Sequence, residues 1–341
     1  MPANLEHIPT LEGERLLDVE KMNDTGFRLH IPVHLPVFET ISAGKCYRRR
    51  KGGGRVNTPP PRIIISPAWL YAAYSEARFV IAPRQVELAV PLEDSEYLKA
   101  LSLYLNTSLV YYYLFFQTSD WGIERDRVNL ANVKNIPVPR FSNEQVAHLA
   151  RIHQQYTQYE LSGQRSEEFR REIDSKVAEV LSIPEDVLAI AQDFVYVKFT
   201  LNEGRTDTVA TQFVAEHILV SYANRLRFQL DNFMDGSGFR HKVEIQYSRA
   251  LVNCKVELVK SDNPFSISVR SLGDPSQSWV ELDGFLVSEY SQWAYVQKRL
   301  RIFDGPRVSF FKSSRVIDWT ETQAFVDADD LIEYILCAEE V

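Results

Sequence analysis

Cysteine and long apolar runs are both scarce in this chain of 341 residues. Its three cysteines, Cys46, Cys254 and Cys337, are far apart and odd in number, which argues against a disulfide framework and against a CxxC-type zinc site. The most apolar stretch, residues 101–116, is interrupted by polar side chains and is shorter than the roughly 18 to 20 residues that a membrane span needs. The acidic N-terminal stretch lacks the apolar core of a secretory signal, so we expect a cytoplasmic protein.

Motifs of the common enzyme classes are also lacking. There is no GxxxxGK(S/T) phosphate loop, no GxGxxG dinucleotide turn and no GxSxG hydrolase elbow. His30 and His34 are four residues apart, but Pro32 between them argues against a helix that would bring them together on a metal. We therefore expect no cofactor, no metal and no enzymatic activity. A magnesium-dependent nuclease with a divergent site stays open as an alternative.

Positive charge is unevenly distributed along the chain. The formal net charge is −8, but residues 1–150 carry +1 and residues 151–341 carry −9. The basic segment, residues 45–62, contains seven cations, three consecutive glycines and no acidic residue. Its cations are Lys45, Arg48, Arg49, Arg50, Lys51, Arg55 and Arg62. The glycines, and the prolines that follow them, predict a surface loop.

A flexible run of cations can lie along a phosphate backbone, and arginine can also donate two hydrogen bonds to guanine in the major groove. We therefore interpret the basic segment as a DNA-binding loop. Two alternatives stay open: a solvated loop without a partner, and arginines that pair with acidic residues of the second domain. Trp121, Arg125 and Arg127 form a second candidate contact, unless these arginines pair with Glu124 or Asp126.

The hydrophobic pattern predicts an α+β fold of two domains joined by a helical hairpin. In the N-terminal domain, residues 1–141, the expected elements are strands over 62–66, 78–82 and 87–90 and a buried helix over 97–116. The hairpin, residues 142–185, consists of helices over 143–161 and 166–181. Its first helix is opened by a capping box of Ser142 and Gln145. The hairpin is interpreted as a spacer or a partner-docking arm.

The C-terminal domain, residues 186–341, alternates apolar and polar residues in the manner of a sheet. The expected helices lie after Asp207, at 290–302 and at 320–336, and the expected strands lie at 240–247, 253–260, 265–270, 279–286 and 307–312. Because this half of the chain is acidic, it would repel DNA, and we expect it to dock a basic partner protein.

Several stretches carry a resemblance to a known family. Leu105–Ser108 (LNTS) lies in the helical stretch, Ile136–Pro139 (IPVP) follows it, and the runs RIIISPAW and SEARFVIAP precede it. Together they make residues 35–160 similar to the target-recognition region of N6-adenine DNA methyltransferases of type IIG and related restriction-modification or phage-defence systems. In that family the first motif is an LNS helix and the second a closing Pro-x-Pro strand. Lys312 with residues 319–324 and 327–329 resembles C-terminal extensions of such enzymes.

The catalytic half of that family has no counterpart in this sequence. A glycine-rich S-adenosylmethionine loop is lacking, and Asn57–Pro61 (NTPPP) differs from the (D/N/S)PP(Y/F) tetrapeptide that holds the flipped adenine. The resemblance therefore implies a non-catalytic specificity subunit of a bacterial DNA-modification or antiviral defence complex. Such a subunit reads or clamps double-stranded DNA for a separate methyltransferase or helicase-translocase chain. The alternative is a protein-interaction scaffold in such a complex, and a homo-oligomer is compatible with both.

Overall fold

The computed structural model forms an α+β fold, as expected from the sequence, and divides into two compact units, Met1–Ala191 and Gln192–Val341. It describes residues 5–7, 13–18, 21–22, 27–32, 34, 37–41, 48–50, 60–66, 68, 71–81, 86–89, 94–118, 128, 130–161, 169–201, 207–272 and 300–338. This division differs from the expected one because the helical hairpin belongs to the first unit.

Short strands in three small sheets form the β-structure of the first unit. They are β1 (Leu5–His7), β2 (Arg15–Leu17), β3 (Phe38–Thr40), β4 (Arg48–Arg50), β5 (Arg62–Ile65), β6 (Ala72–Ser75) and β7 (Val86–Ala89). β1 pairs with β4 and β2 with β3, and β5 lies between β6 and β7, all antiparallel. The three isoleucines of β5 are buried, as a strand covered on both faces requires.

The strand expected at 78–82 is wrong for the residues that the structure describes there. In that stretch Val80 forms an isolated bridge with Leu16. The preceding strand, β6, ends at Ser75. The carbonyl of Phe79 accepts a hydrogen bond from the Arg62 side chain instead of one from a neighbouring strand.

The helices of the first unit are α1 (Ser95–Leu105), α2 (Ser108–Gln117), α3 (Leu130–Lys134), α4 (Asn143–Leu161) and α5 (Arg170–Leu181), and α6 (Glu185–Asp193) crosses the unit boundary. The single helix expected over 97–116 is wrong, because the chain breaks between α1 and α2. There the Asn106 amide donates to the Ser102 carbonyl at 2.8 Å and the Thr107 hydroxyl donates to the Tyr104 carbonyl at 2.7 Å. Side chains that compete for helix carbonyls in this way favour helix ends.

The helical hairpin packs within the first unit. The expected capping box is confirmed: the Ser142 N–H donates to the Gln145 side chain at 2.9 Å, and the Gln145 N–H donates to the Ser142 hydroxyl at 3.2 Å. α4 packs against α1 and buries Leu149, His153 and Tyr156. Because one face of α4 belongs to this core, the hairpin is not a separate spacer. Residues 162–168, where its second helix was expected to begin, lie outside the described residues.

The described residues of the second unit form a five-stranded sheet packed against two long helices. Its elements are α7 (Glu216–Phe233), β8 (Phe239–Tyr247), β9 (Leu251–Lys260), β10 (Ser268–Ser271), β11 (Leu300–Asp304), β12 (Arg307–Ser313) and α8 (Glu321–Ala338). The unit also contains a π-helical turn at Phe194–Lys198. Its 3-10 turns lie at Phe199–Leu201, Val209–Thr211 and Val316–Asp318. The strand order is β10-β8-β9-β12-β11, with β10 parallel to β8 and the other pairs antiparallel.

The strands β8, β9 and β12 and the helix α8 confirm their expected positions to within two residues. The helix expected at 290–302 is wrong at its end, because Leu300–Asp304 forms β11 and pairs with β12. Gly305 makes the tight turn between them with a φ of +54°, a conformation that favours glycine. Residues 279–286 and 290–299 lie outside the described residues.

Candidate nucleic-acid interface

Part of the basic segment is a strand, so the loop expected there is wrong for Arg48–Arg50. This strand, β4, pairs antiparallel with β1, and the register places Glu6 opposite Arg49. We call this pair of strands the basic ribbon. A two-stranded ribbon is narrow enough to enter the major groove of DNA. Lys45, Lys51 and Arg55 lie outside the described residues.

Arg62, the last cation of the basic segment, does not belong to the interface. It begins β5 and is 0% exposed. Its guanidinium donates to the Phe79 carbonyl at 2.6 Å and lies 4.3 Å from the centroid of the Phe79 ring. A longer bond of 3.4 Å reaches the Ala77 carbonyl. The expectation that Arg62 contacts DNA is therefore wrong, because its donors face the interior of the first unit.

The second candidate contact lies outside the described part of the chain. Trp121, Arg125 and Arg127 fall within residues 119–127, which follow α2. The described residue beyond them, Val128, is 6% exposed and packs into the first unit. The contact of these three residues with DNA stays a prediction.

The LNTS motif has a structural role in the first unit. Asn106 holds both backbone groups of Ala72: its side-chain oxygen accepts from the Ala72 N–H at 3.0 Å and its amide donates to the Ala72 carbonyl at 3.0 Å. The Ser102 hydroxyl donates to the same carbonyl at 2.6 Å. Ser108 donates to Asp174 through its N–H at 2.9 Å and through its hydroxyl at 2.5 Å. These contacts attach α1 to β6 and α2 to α5.

The Pro-x-Pro motif also serves packing. Residues 136–139 form no strand, which differs from the family pattern. The carbonyl of Pro137 accepts a hydrogen bond from the Tyr104 hydroxyl at 2.6 Å. This bond holds Pro137 against α1. The motif residues therefore belong to the scaffold of the first unit.

A buried histidine lies where α4 meets the segment before β3. His153 is 1% exposed, and its Nε2 is 3.1 Å from the Leu29 carbonyl, so Nε2 carries the hydrogen. Burial lowers the pKa of His153 to about 3. The ring of Tyr74 contacts it edge-on at 5.7 Å. His153 is therefore neutral at pH 7 and acts as a hydrogen-bond donor to the backbone.

A buried ion pair connects β12 with α8 in the second unit. Lys312 and Asp327 are 3% and 2% exposed and pair with each other. The Lys312 ammonium lies within 5.5 Å of the ring centroids of Tyr222, Phe310 and Trp319. The Tyr222 hydroxyl donates to Asp327 at 2.6 Å. Lys312, Trp319 and Asp327 thus meet inside the core of the second unit, so these three side chains are not available for a contact with DNA.

The described residues give little evidence of a metal site or of a reactive nucleophile. Among them, no group of three or more histidine, cysteine, aspartate or glutamate side chains could hold a metal ion. Cys254 is buried in the sheet, and burial raises its pKa, which keeps the thiol protonated and unreactive. None of the helices in the described ranges combines the length and apolarity of a membrane span.

Comparison with protein-family models, with curated proteins and with solved structures found no match to this chain. Sequence reasoning missed two polar arrangements that the structure assembles, the Ser108–Asp174 contact and a His241–Asp231 pair. Both join residues of separate elements, and the only local signal for the first is a serine at the start of a helix.

Proposed function

We propose that this chain is a non-catalytic DNA-binding specificity subunit, and that the basic ribbon and its flanking cations contact duplex DNA. One observation carries the proposal. Residues 45–55 contain six cations and no acidic residue in a chain of net charge −8, and three of these cations are consecutive on β4. The resemblance of residues 35–160 to target-recognition regions supports the same interpretation.

The physical basis is electrostatic and conformational. Each phosphate that a cation neutralises releases counterions, so binding becomes steeply dependent on salt. Pairing with β1 holds the backbone of Arg48–Arg50 extended before DNA arrives. Ordering the chain in advance reduces the conformational entropy lost on binding.

The second unit supports a separate role in the proposed complex. Residues Gln192–Val341 carry a net charge of −6, which disfavours contact with phosphate. We assign to this unit the docking of a basic partner, a methyltransferase or helicase-translocase chain. This assignment rests on charge and on the family resemblance.

The test is a titration of the full chain with labelled duplex DNA at several salt concentrations between 50 and 200 mM. In the triple variant R48A/R49A/R50A we expect weaker binding and a salt slope that is shallower by up to about 0.9 for each lost phosphate contact. Circular dichroism checks that the variant is folded. An unchanged slope in a folded variant removes the basic ribbon from the interface.

A matched control removes three exposed cations that already pair with carboxylates. The variant K21A/R78A/R307A loses the same charge as the ribbon variant. Their partners are Glu39 at 3.4 Å, Glu14 at 2.9 Å and Glu257 at 2.9 Å. We expect this control to retain most of the wild-type affinity and slope. Equal losses in both variants would mean that net charge, and not the ribbon, governs binding.

A protein-interaction scaffold is the second candidate function. It is favoured by apolar side chains exposed on α8, where Tyr334 and Leu336 are 54% and 52% exposed. Such side chains are typical of protein contacts when they cluster. A scaffold would purify with a partner protein and show no affinity for duplex DNA at 50 mM salt, whereas a specificity subunit binds the duplex on its own.

A further inference from the structure

An apolar cavity of about 180 Å³ lies in the second unit where β11 turns into β12. Its walls come from both long helices and from the sheet, and include Leu230, Val256, Leu258, Val308 and Leu331. An apolar cavity of about 150 Å³ is large enough to bind benzene. The cavity therefore has the size and lining for one aromatic ring.

One polar ring joins this apolar lining. His241 on β8 is 3% exposed, and its Nδ1 is 3.1 Å from Asp231 Oδ1. The His241 backbone N–H donates to the same oxygen at 2.7 Å. Because a carboxylate oxygen accepts, the hydrogen is on Nδ1, and Nε2 is left as an acceptor. In the described part of the chain the hydrogen bond of the His241 ring is made through Nδ1, and the residue lines the cavity.

We propose that this cavity binds a small neutral molecule of the phenol or indole class, whose O–H or N–H donates to His241 Nε2. The apolar walls supply the burial of the ring, and the Nε2 acceptor selects for a donor and fixes its orientation. Arg307 at the rim pairs with Glu257 at 2.9 Å, so the interior favours a neutral ligand. This inference does not depend on the proposed DNA binding.

The test compares phenol with toluene as probes of the full chain, by calorimetric titration. Phenol is expected to bind about tenfold more tightly, the ratio that one hydrogen bond of ordinary strength provides. His241→Asn keeps a donor for Asp231 but lacks the Nε2 acceptor, so the preference for phenol should disappear. Retention of the tenfold preference in a folded His241→Asn variant would overturn the proposal.

A second variant tests the cavity and not the acceptor. Leu258 lies opposite His241 in the register of β8 and β9, and Leu258→Phe should fill the space and abolish binding of both probes. Val259→Phe adds a ring to the next residue of β9, on the other face of the sheet, and should leave binding unchanged. Absence of saturable binding in the wild type, or phenol binding that survives Leu258→Phe, contradicts the proposal.

A third measurement covers the case in which Leu258→Phe fails to fold. In the wild type, phenol should shift the methyl resonances of Val256 and Val308, which line the cavity. Shifts confined to other parts of the molecule would place phenol elsewhere and overturn the site. Duplex affinity measured on the same samples reports on the proposed function separately.

Discussion

The two units satisfy their buried polar groups in different ways. In the first unit, several buried polar side chains bond to the backbone: Asn106 holds the N–H and carbonyl of Ala72, and Arg62 donates to the Phe79 carbonyl. The strands there are three or four residues long, so their ends leave backbone groups without a ladder partner. Side chains from other elements take the place of that ladder.

In the second unit, two buried polar pairs join a strand to a helix through their side chains. Lys312 pairs with Asp327, and His241 pairs with Asp231. The strands β8 and β9 are nine and ten residues long and satisfy most of their backbone groups in the ladder. The comparison links these side chains to strand length: Asn106 and Arg62 satisfy backbone groups beside short strands, whereas the two pairs of the second unit join long strands to helices.

The largest effect is expected where two charges are buried together. Lys312→Met leaves Asp327 in the core without its cation, and breaking a buried pair in this way costs about 3–5 kcal/mol of the free energy of unfolding. Urea unfolding followed by circular dichroism measures the loss. The double variant K312M/D327L removes both charges and should recover most of it. A loss below about 1 kcal/mol in Lys312→Met would show that the pair is not a main support of the second unit.

A smaller effect is expected where one side chain serves the backbone. Asn106→Ala leaves the buried N–H of Ala72 without its acceptor, at a cost of about 1–3 kcal/mol, while the Ala72 carbonyl keeps its bond from Ser102. The Ala72 amide should then exchange its hydrogen faster. Asn135→Ala, at an exposed position, is the matched control and should change stability by less than about 0.5 kcal/mol. Equal effects at both positions would contradict the role of Asn106.

The same difference decides how much of each unit is predictable from sequence. In the second unit, apolar residues recur at every second position of β8 and β9, for example Val243 and Ile245, so alternation locates the strands. In the first unit, strands of three or four residues are too short for a period to appear. The local sequence pattern does not predict β4, because its partner, β1, lies some forty residues earlier.

Side-chain contacts of the first unit also join residues that are far apart along the chain. Ser108 and Asp174 are 66 residues apart, and Arg62 and Phe79 are 17 apart, so no local pattern joins them. Composition alone is sufficient to locate the basic segment. It does not distinguish the buried Arg62 from the other cations of that segment. The three isoleucines that follow Arg62 are the one local indication that this arginine begins a buried strand.

A final prediction compares the buried His153 and His241 through their response to pH. Burial lowers the pKa of His153 to about 3, well below its ordinary value of 6.5. Between these values the unfolded chain binds a proton that the folded chain does not, so this contribution to stability is present above pH 6.5 and lost as the pH falls towards 3. At pH 5 the loss amounts to about 2 kcal/mol.

His153→Gln tests this contribution, because the glutamine Nε2 can still donate to the Leu29 carbonyl while nothing at that position titrates. The variant should lose less stability than the wild type between pH 7 and pH 5, measured by urea unfolding at each pH. Burial lowers the pKa of His241 as well, but the hydrogen bond to Asp231 opposes that shift. His241→Asn should therefore flatten the pH dependence less than His153→Gln does. If both variants flatten the pH dependence equally, a carboxylate partner has no more effect on the pKa of a buried imidazole than a backbone carbonyl has. That result would contradict the expected difference between His153 and His241.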